Sequence, residues 1–267
     1  MALKLENVTK RFQHHVAVDR LNMTVEKGTV FGLLGANGAG KTTTFRMILG
    51  LLPPTQGTIA WEGKKISLNM SNKIGYLPEE RGLYPKLTVE EQLVYLGKLR
   101  GMSKEEAASE LDKWLEKFHI PQYKKKKVEE LSKGNQQKIQ FIAAVIHQPE
   151  LLILDEPFSG LDPVNVEILK EAVVKLNKNG TTIVFSSHRM EQVEELCDDI
   201  CILQKGKTVI QGRLNEIKRQ FSKKNVTIRA DFPLDFLHTF PGVVKVNMHK
   251  EGAKVQITGE DAAKPLL

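Results

Sequence analysis

The stretch Gly35-Ala36-Asn37-Gly38-Ala39-Gly40-Lys41-Thr42 stands between an apolar run, Val30 to Leu34, and an apolar-periodic segment, Thr43 to Leu52. This order predicts a buried strand, a glycine-rich loop and a helix. Glycines let the backbone wrap closely around a phosphate chain, because its N–H groups and the positive end of the following helix then face the anion. The stretch matches the phosphate-loop pattern at every specified position. A glycine-rich turn without a ligand is the alternative for this motif taken alone.

The loop predicts how a nucleotide and a metal ion would be held. Lys41 would reach the β- and γ-phosphates, and the hydroxyl of Thr42 would bind Mg²⁺. We therefore expect ATP and Mg²⁺ to bind. The predicted phosphate cradle consists of Gly35, Asn37, Gly38, Ala39, Gly40, Lys41, Thr42 and Thr43.

A second feature is an apolar run that ends in two carboxylates, Leu151-Leu152-Ile153-Leu154-Asp155-Glu156-Pro157. Adjacent residues of a strand face opposite ways, so the two acids are expected to differ in function. Asp155 is predicted to hold Mg²⁺ through water, and Glu156 to polarise the water that attacks the γ-phosphorus. A sequence that merely ends a core strand is the alternative, which the preceding phosphate loop disfavours.

These motifs, together with Leu131-Ser132-Lys133-Gly134-Asn135-Gln136-Gln137-Lys138, resemble the nucleotide-binding subunit of ATP-binding-cassette (ABC) transporters. The resemblance covers roughly residues 1 to 215. It implies that Ser132 and Gly134 open a helix whose N-terminus faces the γ-phosphate bound by the other subunit of a dimer. Such a helix end is a second anion-binding site, supplied in trans.

Three further positions gain a role from this resemblance. Ser159-Gly160-Leu161-Asp162 looks like the D-loop, which lies along the dimer seam, and His188 looks like the switch histidine that contacts the γ-phosphate. A lone histidine after a strand is otherwise more often structural or on the surface. Phe12 occupies the place of the aromatic residue that stacks on adenine. A core phenylalanine is the competing explanation, and the sequence does not separate the two.

Two positions depart from the family pattern. Glu79, after Ile74-Gly75-Tyr76-Leu77-Pro78, stands where glutamine is usual. Its carboxylate could orient water or Mg²⁺, but it cannot donate a hydrogen bond while ionised. By the resemblance, this departure bears on the role of the loop in coupling the ATPase to its partner more than on nucleotide binding. Lys133 stands where glycine is commoner, and its side chain must point either away from the nucleotide or toward a phosphate.

Composition and charge limit the class of protein. The 267 residues, 41% of them hydrophobic, suit one main domain plus an appendage. No apolar run approaches the roughly 20 residues that span a bilayer, and the N-terminus lacks an apolar signal segment. The formal charge of +7 suits either an anionic membrane surface or nucleic acid. Because no aromatic-rich basic surface is evident, we expect no nucleic acid partner. Cys197 and Cys201 are interpreted as thiols that pack.

A helical insert, about residues 84 to 135, interrupts the alternation of strands and helices. Thr88 with Glu91, and Ser103 with Glu106, form capping boxes that predict the starts of two helices. The insert resembles the subdomain through which family members contact a membrane subunit. Apolar residues there could receive a helix of that partner or pack locally, and these are Leu83, Tyr84, Leu87 and Tyr95.

The predicted fold is α/β, a P-loop NTPase core of ABC ATPase type with an antiparallel β subdomain, the helical insert and a small C-terminal α+β appendage. We expect the ABC domain over residues 1–220 and an accessory domain over residues 221–267. The accessory domain has little room to complete a sheet, so it could be incomplete. Its predicted strands are Asn225 to Ala230, Val243 to Met248 and Ala253 to Thr258, with a helix or turn from Pro233 to Phe240.

The predicted function is that of an ATP-hydrolysing subunit of a membrane ABC transporter, and export is the favoured direction of transport. The subunit is expected to work as a head-to-tail homodimer. The segment from Ile74 to Pro85 looks closest to ATPases of the bacterial sodium-efflux type. A multi-span permease would hold the subunit on the cytoplasmic side of the membrane. A soluble ABC protein acting on ribosomes or nucleic acid is the alternative, although the chain has a single phosphate loop and no sustained heptads. A regulator that hydrolyses little ATP is a second alternative, against which Asp155, Glu156 and His188 argue.

Overall fold

The computed structural model describes residues 2–67, 70, 72–80, 82–221, 224–230, 232–249 and 252–257. The chain divides into two units, Met1–Leu214 and Asn215–Leu267. Arg81, Thr258 and residues 259–267 belong to predicted segments but lie outside the described residues.

Strands and helices alternate along most of the chain, and the last three strands belong to the second unit. The strands are β1 (Leu3–Phe12), β2 (His15–Val25), β3 (Val30–Leu34), β4 (Gln56–Trp61), β5 (Lys64–Lys65), β6 (Ile74–Leu77), β7 (Leu151–Leu154), β8 (Thr182–Ser187), β9 (Asp199–Gln204), β10 (Lys207–Arg213), β11 (Lys224–Ile228), β12 (Val243–His249) and β13 (Gly252–Ile257). The α-helices are α1 (Lys41–Ile48), α2 (Val89–Leu99), α3 (Lys104–Lys117), α4 (Lys133–Val145), α5 (Pro163–Lys178), α6 (Met190–Leu196) and α7 (Leu214–Phe221).

Two sheets build the first unit within the described residues. An antiparallel sheet has the order β2-β1-β4-β5, and the central sheet has the order β10-β9-β3-β8-β7-β6. The central strands from β9 to β6 pair in parallel, and β10 is antiparallel to β9. All residues of β3 and β7 are buried, as expected of parallel strands covered on both faces. The predicted α/β core and antiparallel subdomain are confirmed.

The parallel pairing brings the ends of three strands to one edge of the central sheet. The carboxyl ends of β3, β7 and β8 meet there, because β3 pairs with β8 and β8 with β7. Loops that follow neighbouring parallel strands form the ligand crevice in open α/β sheets. The phosphate loop, the Asp155-Glu156 pair and His188 are each the continuation of one of these strands.

The helical insert begins with the two predicted capping boxes, which the structure confirms. Thr88 Oγ1 accepts from Glu91 N at 3.2 Å while Glu91 Oε2 accepts from Thr88 N at 2.9 Å. Ser103 and Glu106 make the same reciprocal pair at 3.1 and 2.8 Å. These pairs satisfy N–H groups that have no acceptor within the helix.

An aromatic cluster packs the insert against α4. The ring centroids of Trp114 and Phe118 lie 5.5 Å apart, and each lies within 6.0 Å of Phe141. Aromatic pairs at such separations add to the stabilisation from burial alone. Because Phe141 belongs to α4, the cluster joins α3 to the helix that Ser132 begins.

The backbone at Glu156 contradicts one expectation. Strand β7 ends at Leu154, and Glu156 has a left-handed backbone with φ of 48°. The alternation of side chains along a strand therefore does not apply to the two carboxylates, and that argument for their different roles was wrong. Their roles depend instead on separate hydrogen-bond partners.

The second unit contains an antiparallel sheet with the order β11-β13-β12. A short 3-10 helix, Asp235–Thr239, lies in the segment predicted as a helix or turn. The buried core of this unit consists of Leu234, Leu237, Ala253, Val255 and Ile257.

Within the described part of the chain, no helix is both long and apolar enough to cross a membrane.

Cys197 and Cys201 are free thiols, and burial raises the pKa of Cys201 to about 11.

Candidate functional site

The phosphate loop joins β3 to α1 and is held by one hydrogen bond within the loop and one from the turn between β9 and β10. Ala39 N donates to Ala36 O at 3.0 Å inside the loop, and Gly206 N donates to Ala39 O at 3.0 Å. Gly206 O in turn accepts from Asp19 N of β2 at 2.8 Å. The turn between β9 and β10 therefore holds the loop against β2. The first N–H groups of α1 have no acceptor within the helix, so they can bind an anion.

Two glycines of the loop are required by sterics. A Cβ at Gly35 would lie 2.5 Å from Leu203 O, and one at Gly40 would lie 2.6 Å from Ala17 O. Their φ angles of +152° and +108° also disfavour any side chain. Gly38 differs, because a Cβ there would meet nothing within 4 Å, although its φ is +79°. Its backbone therefore borders open space, where a phosphate group would approach.

We expect Gly40→Ala to lower the free energy of unfolding by more than the roughly 1–3 kcal/mol of backbone strain alone, because Ala17 O must also move. Gly28→Ala is the matched control, since Gly28 has φ of +70° but open space around a Cβ. Urea unfolding of both variants tests this expectation. Equal losses in the two variants would contradict the steric account.

Lys41 is buried at the start of α1 and lies between the loop and a carboxylate. Its Nζ donates to Gly35 O at 2.7 Å and lies 3.5 Å from Glu156 Oε1. A buried ammonium group is stable only with such partners. The geometry places a cation at the phosphate cradle, as the sequence predicts.

Asp155 is 1% exposed and is bonded to two hydroxyl groups. Thr42 Oγ1 donates to Asp155 Oδ2 at 2.8 Å, and Ser186 Oγ donates to Asp155 Oδ1 at 2.6 Å. Hydroxyl and carboxylate oxygens are the ligands that Mg²⁺ prefers. These neutral donors do not cancel the charge of Asp155, so the Thr42-Asp155 pair fits a divalent cation. Burial and the nearby Asp155 raise the pKa of Tyr76 to about 12.

Glu156 is held by its backbone and by His188. Glu156 N donates to Ser186 Oγ at 2.9 Å, and Glu156 Oε2 lies 3.0 Å from His188 Nδ1. An ionised carboxylate only accepts, so Nδ1 carries the proton in this bond. Glu156 Oε1 is buried and has no hydrogen-bond partner among the described residues. The structure thus aligns one oxygen with the histidine and leaves the other facing the Lys41 ammonium group at 3.5 Å without a hydrogen bond.

Ser186 is a site residue that was not among the predicted ones. Its hydroxyl group donates to the Asp155 carboxylate and accepts from the backbone N–H of Glu156, so one side chain holds both residues. A polar residue at the end of the buried apolar run of β8 was the available signal.

A cavity of about 380 Å³ lies over the phosphate loop. Phe12 at its rim is 45% exposed, with Lys10 Nζ 5.2 Å from the ring centroid. The alternative of a core phenylalanine is therefore wrong, and stacking on adenine stays a prediction. Glu79 also borders the cavity, and its predicted role in orienting water or Mg²⁺ stays a prediction. The residues that line the cavity are Phe12, His15, Ala17, Ala36, Asn37, Gly38, Ala39, Gly40, Lys41, Thr42, Thr43 and Glu79.

Ser132 and Gly134 are not among the residues that line this cavity. Ser132 is exposed and begins α4, where its Oγ accepts from Asn135 N at 3.4 Å. A Cβ at Gly134 would lie 2.9 Å from Asn165 Nδ2. Asp162 caps α5 by accepting from Asn165 N at 3.0 Å, so the start of α4 packs against the end of the D-loop-like segment. Lys133 is exposed, and the two directions proposed for its side chain stay open.

A family model described as ABC transporter matches residues 18–159. The chain is 62% identical over 265 residues to the uncharacterized ABC transporter ATP-binding protein YhaQ of Bacillus subtilis (strain 168), which covers 99% of this chain and 89% of that protein. It is 37% identical over 223 residues to the ABC transporter ATP-binding protein NatA of the same organism, over 80% of this chain and 91% of NatA. The Nod factor export ATP-binding protein I of Cupriavidus metallidurans is 37% identical over 218 residues, or 80% of this chain and 72% of that protein.

Solved structures show the same fold. One described as an ATP binding subunit of an ABC transporter matches with a TM-score of 0.76 and 31% identity, over 83% of this chain and 93% of that chain. The dimeric structure of MJ0796, a bacterial ABC transporter cassette, matches with a TM-score of 0.73 and 25% identity, over 79% and 98% of the two chains. The predicted family is confirmed, with higher identity to YhaQ than to NatA. The chain belongs to the ABC transporter family as one of its ATP-binding subunits.

Proposed function

We propose that this subunit hydrolyses Mg-ATP to drive an exporter, as one half of a head-to-tail homodimer bound to a multi-span permease at the inner face of the membrane. The observation that carries the hydrolytic part is the convergence of Lys41, Asp155, Glu156 and His188 at one edge of the central sheet. The similarity to a Nod factor export protein favours export over import.

Each side chain of the site has a role that its contacts support. Thr42 and Asp155 would hold Mg²⁺, with Glu79 as a further oxygen ligand, and the ion would neutralise phosphate charge. Lys41 would exchange its bond to Gly35 O for the phosphates. Its departure would leave Glu156 Oε1, already without a hydrogen bond, free to accept a proton from the attacking water.

His188 would keep the Glu156 carboxylate oriented for its role as general base. The bond from Nδ1 to Oε2 fixes the carboxylate at 3.0 Å while the rest of the imidazole is exposed at the site. The other ring nitrogen, Nε2, could then contact the γ-phosphate. The pair therefore connects Glu156, the predicted general base, to the histidine that is predicted to contact the γ-phosphate.

Phosphate release by the purified protein tests the hydrolytic proposal. We expect turnover with Mg-ATP and none when EDTA removes the metal.

Copurification from native membranes tests the proposed permease partner. A multi-span protein in the complex supports the permease proposal, whereas ribosomes in its place would favour the soluble alternative.

The surface for the permease is proposed on the helical insert. Tyr84 is 62% exposed and Tyr95 is 55% exposed, with Leu87 and Leu99 also exposed. Leu83 is partly buried, so it contributes less to this surface. Exposed aromatic side chains of this kind often carry most of the energy of an interface.

We expect the double variant Tyr84→Glu, Tyr95→Glu to bind the permease about tenfold more weakly or worse, because an aromatic anchor contributes about 2 kcal/mol. Basal hydrolysis by the isolated subunit should stay near the wild-type rate. Val174→Glu on α5 is the control for an exposed apolar residue away from the insert. Parallel loss of basal hydrolysis and permease binding would indicate a folding defect and contradict the assignment.

A further inference from the structure

Gln140 lies in α4 and is almost fully buried, with 4% of its surface exposed. Its amide Nε2 donates to Pro78 O at 3.2 Å and to Glu80 O at 3.1 Å. Both acceptors are carbonyl oxygens, so only the NH₂ end of the amide can face them. One side chain of α4 therefore holds the carbonyl groups on either side of Glu79.

The same face of α4 also contacts the loop after β7. Gln137 Nε2 donates to Pro157 O at 3.1 Å, immediately after Glu156. Residues three positions apart lie on one face of a helix, so Gln137 and Gln140 act together. This face of α4 thus contacts the two loops that carry Glu156 and Glu79.

The rest of the Gln140 amide is not satisfied. Its Oε1 is buried and has no hydrogen-bond partner among the described residues. An unpaired buried oxygen opposes folding, and a methionine of similar length would avoid that cost. The two bonds to the loop are the interaction that glutamine provides and methionine cannot.

We propose that Gln140 is a positioning residue that couples α4 to Glu79 and thereby links the two ATP sites of the dimer. This inference rests on the proposed function, in which Ser132 at the start of α4 binds the partner's γ-phosphate. A displacement of α4 would move the carbonyl groups next to Glu79, which borders the subunit's own cavity. The coupling is carried by a contiguous chain of contacts.

The variant Gln140→Met tests the proposal because it keeps length and burial but removes both donors. We expect unchanged ATP affinity and a kcat about tenfold lower, since small misplacements at a reacting centre cost at least that much. In the nucleotide-free monomer, amide hydrogen exchange at Glu79 and Glu80 should become faster, while α1 exchanges as before. In an otherwise identical Glu156→Gln dimer, ATP should protect these amides with Gln140 present and fail to protect them in the methionine variant.

Gln92→Met is the matched control. Gln92 is also buried, its Oε1 accepts from Tyr84 N at 2.7 Å, and its Nε2 has no partner among the described residues. It therefore holds the far end of the same loop through one amide atom. We expect this variant to keep the wild-type kcat and the ATP-dependent protection at Glu79. Equal effects of Gln92→Met and Gln140→Met would assign the result to loop stability and overturn the proposal.

The outcomes separate the inference from the function on which it rests. Wild-type protein that neither hydrolyses ATP nor dimerises would overturn both. Normal hydrolysis by the wild type with unchanged kcat and exchange in Gln140→Met would overturn only the coupling. If urea unfolding shows that Gln140→Met does not fold, Gln140→Leu replaces it, because leucine also lacks a donor for the two carbonyl groups and leaves no charge or polar atom buried.

Discussion

Lys41→Met is expected to bind ATP about a hundredfold more weakly than the wild type, because charge-assisted hydrogen bonds to phosphate contribute about 1.5–3 kcal/mol. Two effects of the substitution add. The phosphates lose the lysine, and Glu156, 3.5 Å from Lys41 Nζ, is left facing them with less positive charge nearby. Methionine keeps the buried aliphatic chain, so a void does not contribute.

Calorimetric titration of Mg-ATP at fixed ionic strength measures the effect. Urea unfolding of the same samples controls for stability, because Lys41 is buried and also bonds Gly35 O. Wild-type affinity in a folded Lys41→Met protein would contradict the position assigned to the phosphates.

The features that the sequence predicts well depend on neighbouring residues. The phosphate loop and the two capping boxes are patterns of a few positions, and local sterics or single hydrogen bonds enforce them. Continuous apolar runs likewise predict buried parallel strands, and β3 and β7 are fully buried.

The features that were missed depend on pairing between distant segments. Leu154 of β7 pairs with Phe185 of β8, so the next positions bring Asp155 and Ser186 together. No local pattern reveals that register. The left-handed backbone of Glu156 was missed for a related reason, because an apolar run does not show at which residue its strand ends.

The sequence was equally unable to predict which single side chains are exposed. Phe12 could have been a core residue or a residue of the binding surface, and the exposure of its side chain at the end of β1, where it pairs with His15, excludes the core. The bond from Gln140 to the loop around Glu79 spans some 60 positions of the chain. Contacts of that range follow from the fold and not from any segment alone.

Glu156→Gln is expected to bind ATP but to turn it over about 10²- to 10⁴-fold more slowly, because it removes the general base. Glutamine keeps the size of the side chain, and its carbonyl oxygen can still accept from His188 Nδ1. Unhydrolysed ATP should then hold two subunits together, since the γ-phosphate would be bound by Lys41 of one subunit and by the start of α4 of the other.

Adding Ser132→Arg should disperse this dimer without preventing ATP binding, because a bulky side chain would occupy the helix end meant for the partner's γ-phosphate. Ser132 also caps α4 through Asn135 N, so Ser132→Ala in the same Glu156→Gln background is the control for loss of the cap alone. Light scattering with and without Mg-ATP measures the assembly. Glu156→Gln that stays monomeric at high protein concentration would reject the in-trans arrangement for the isolated subunit. Dimers that persist with Ser132→Arg would reject the role of Ser132, since arginine at that helix end leaves no space for the shared phosphate.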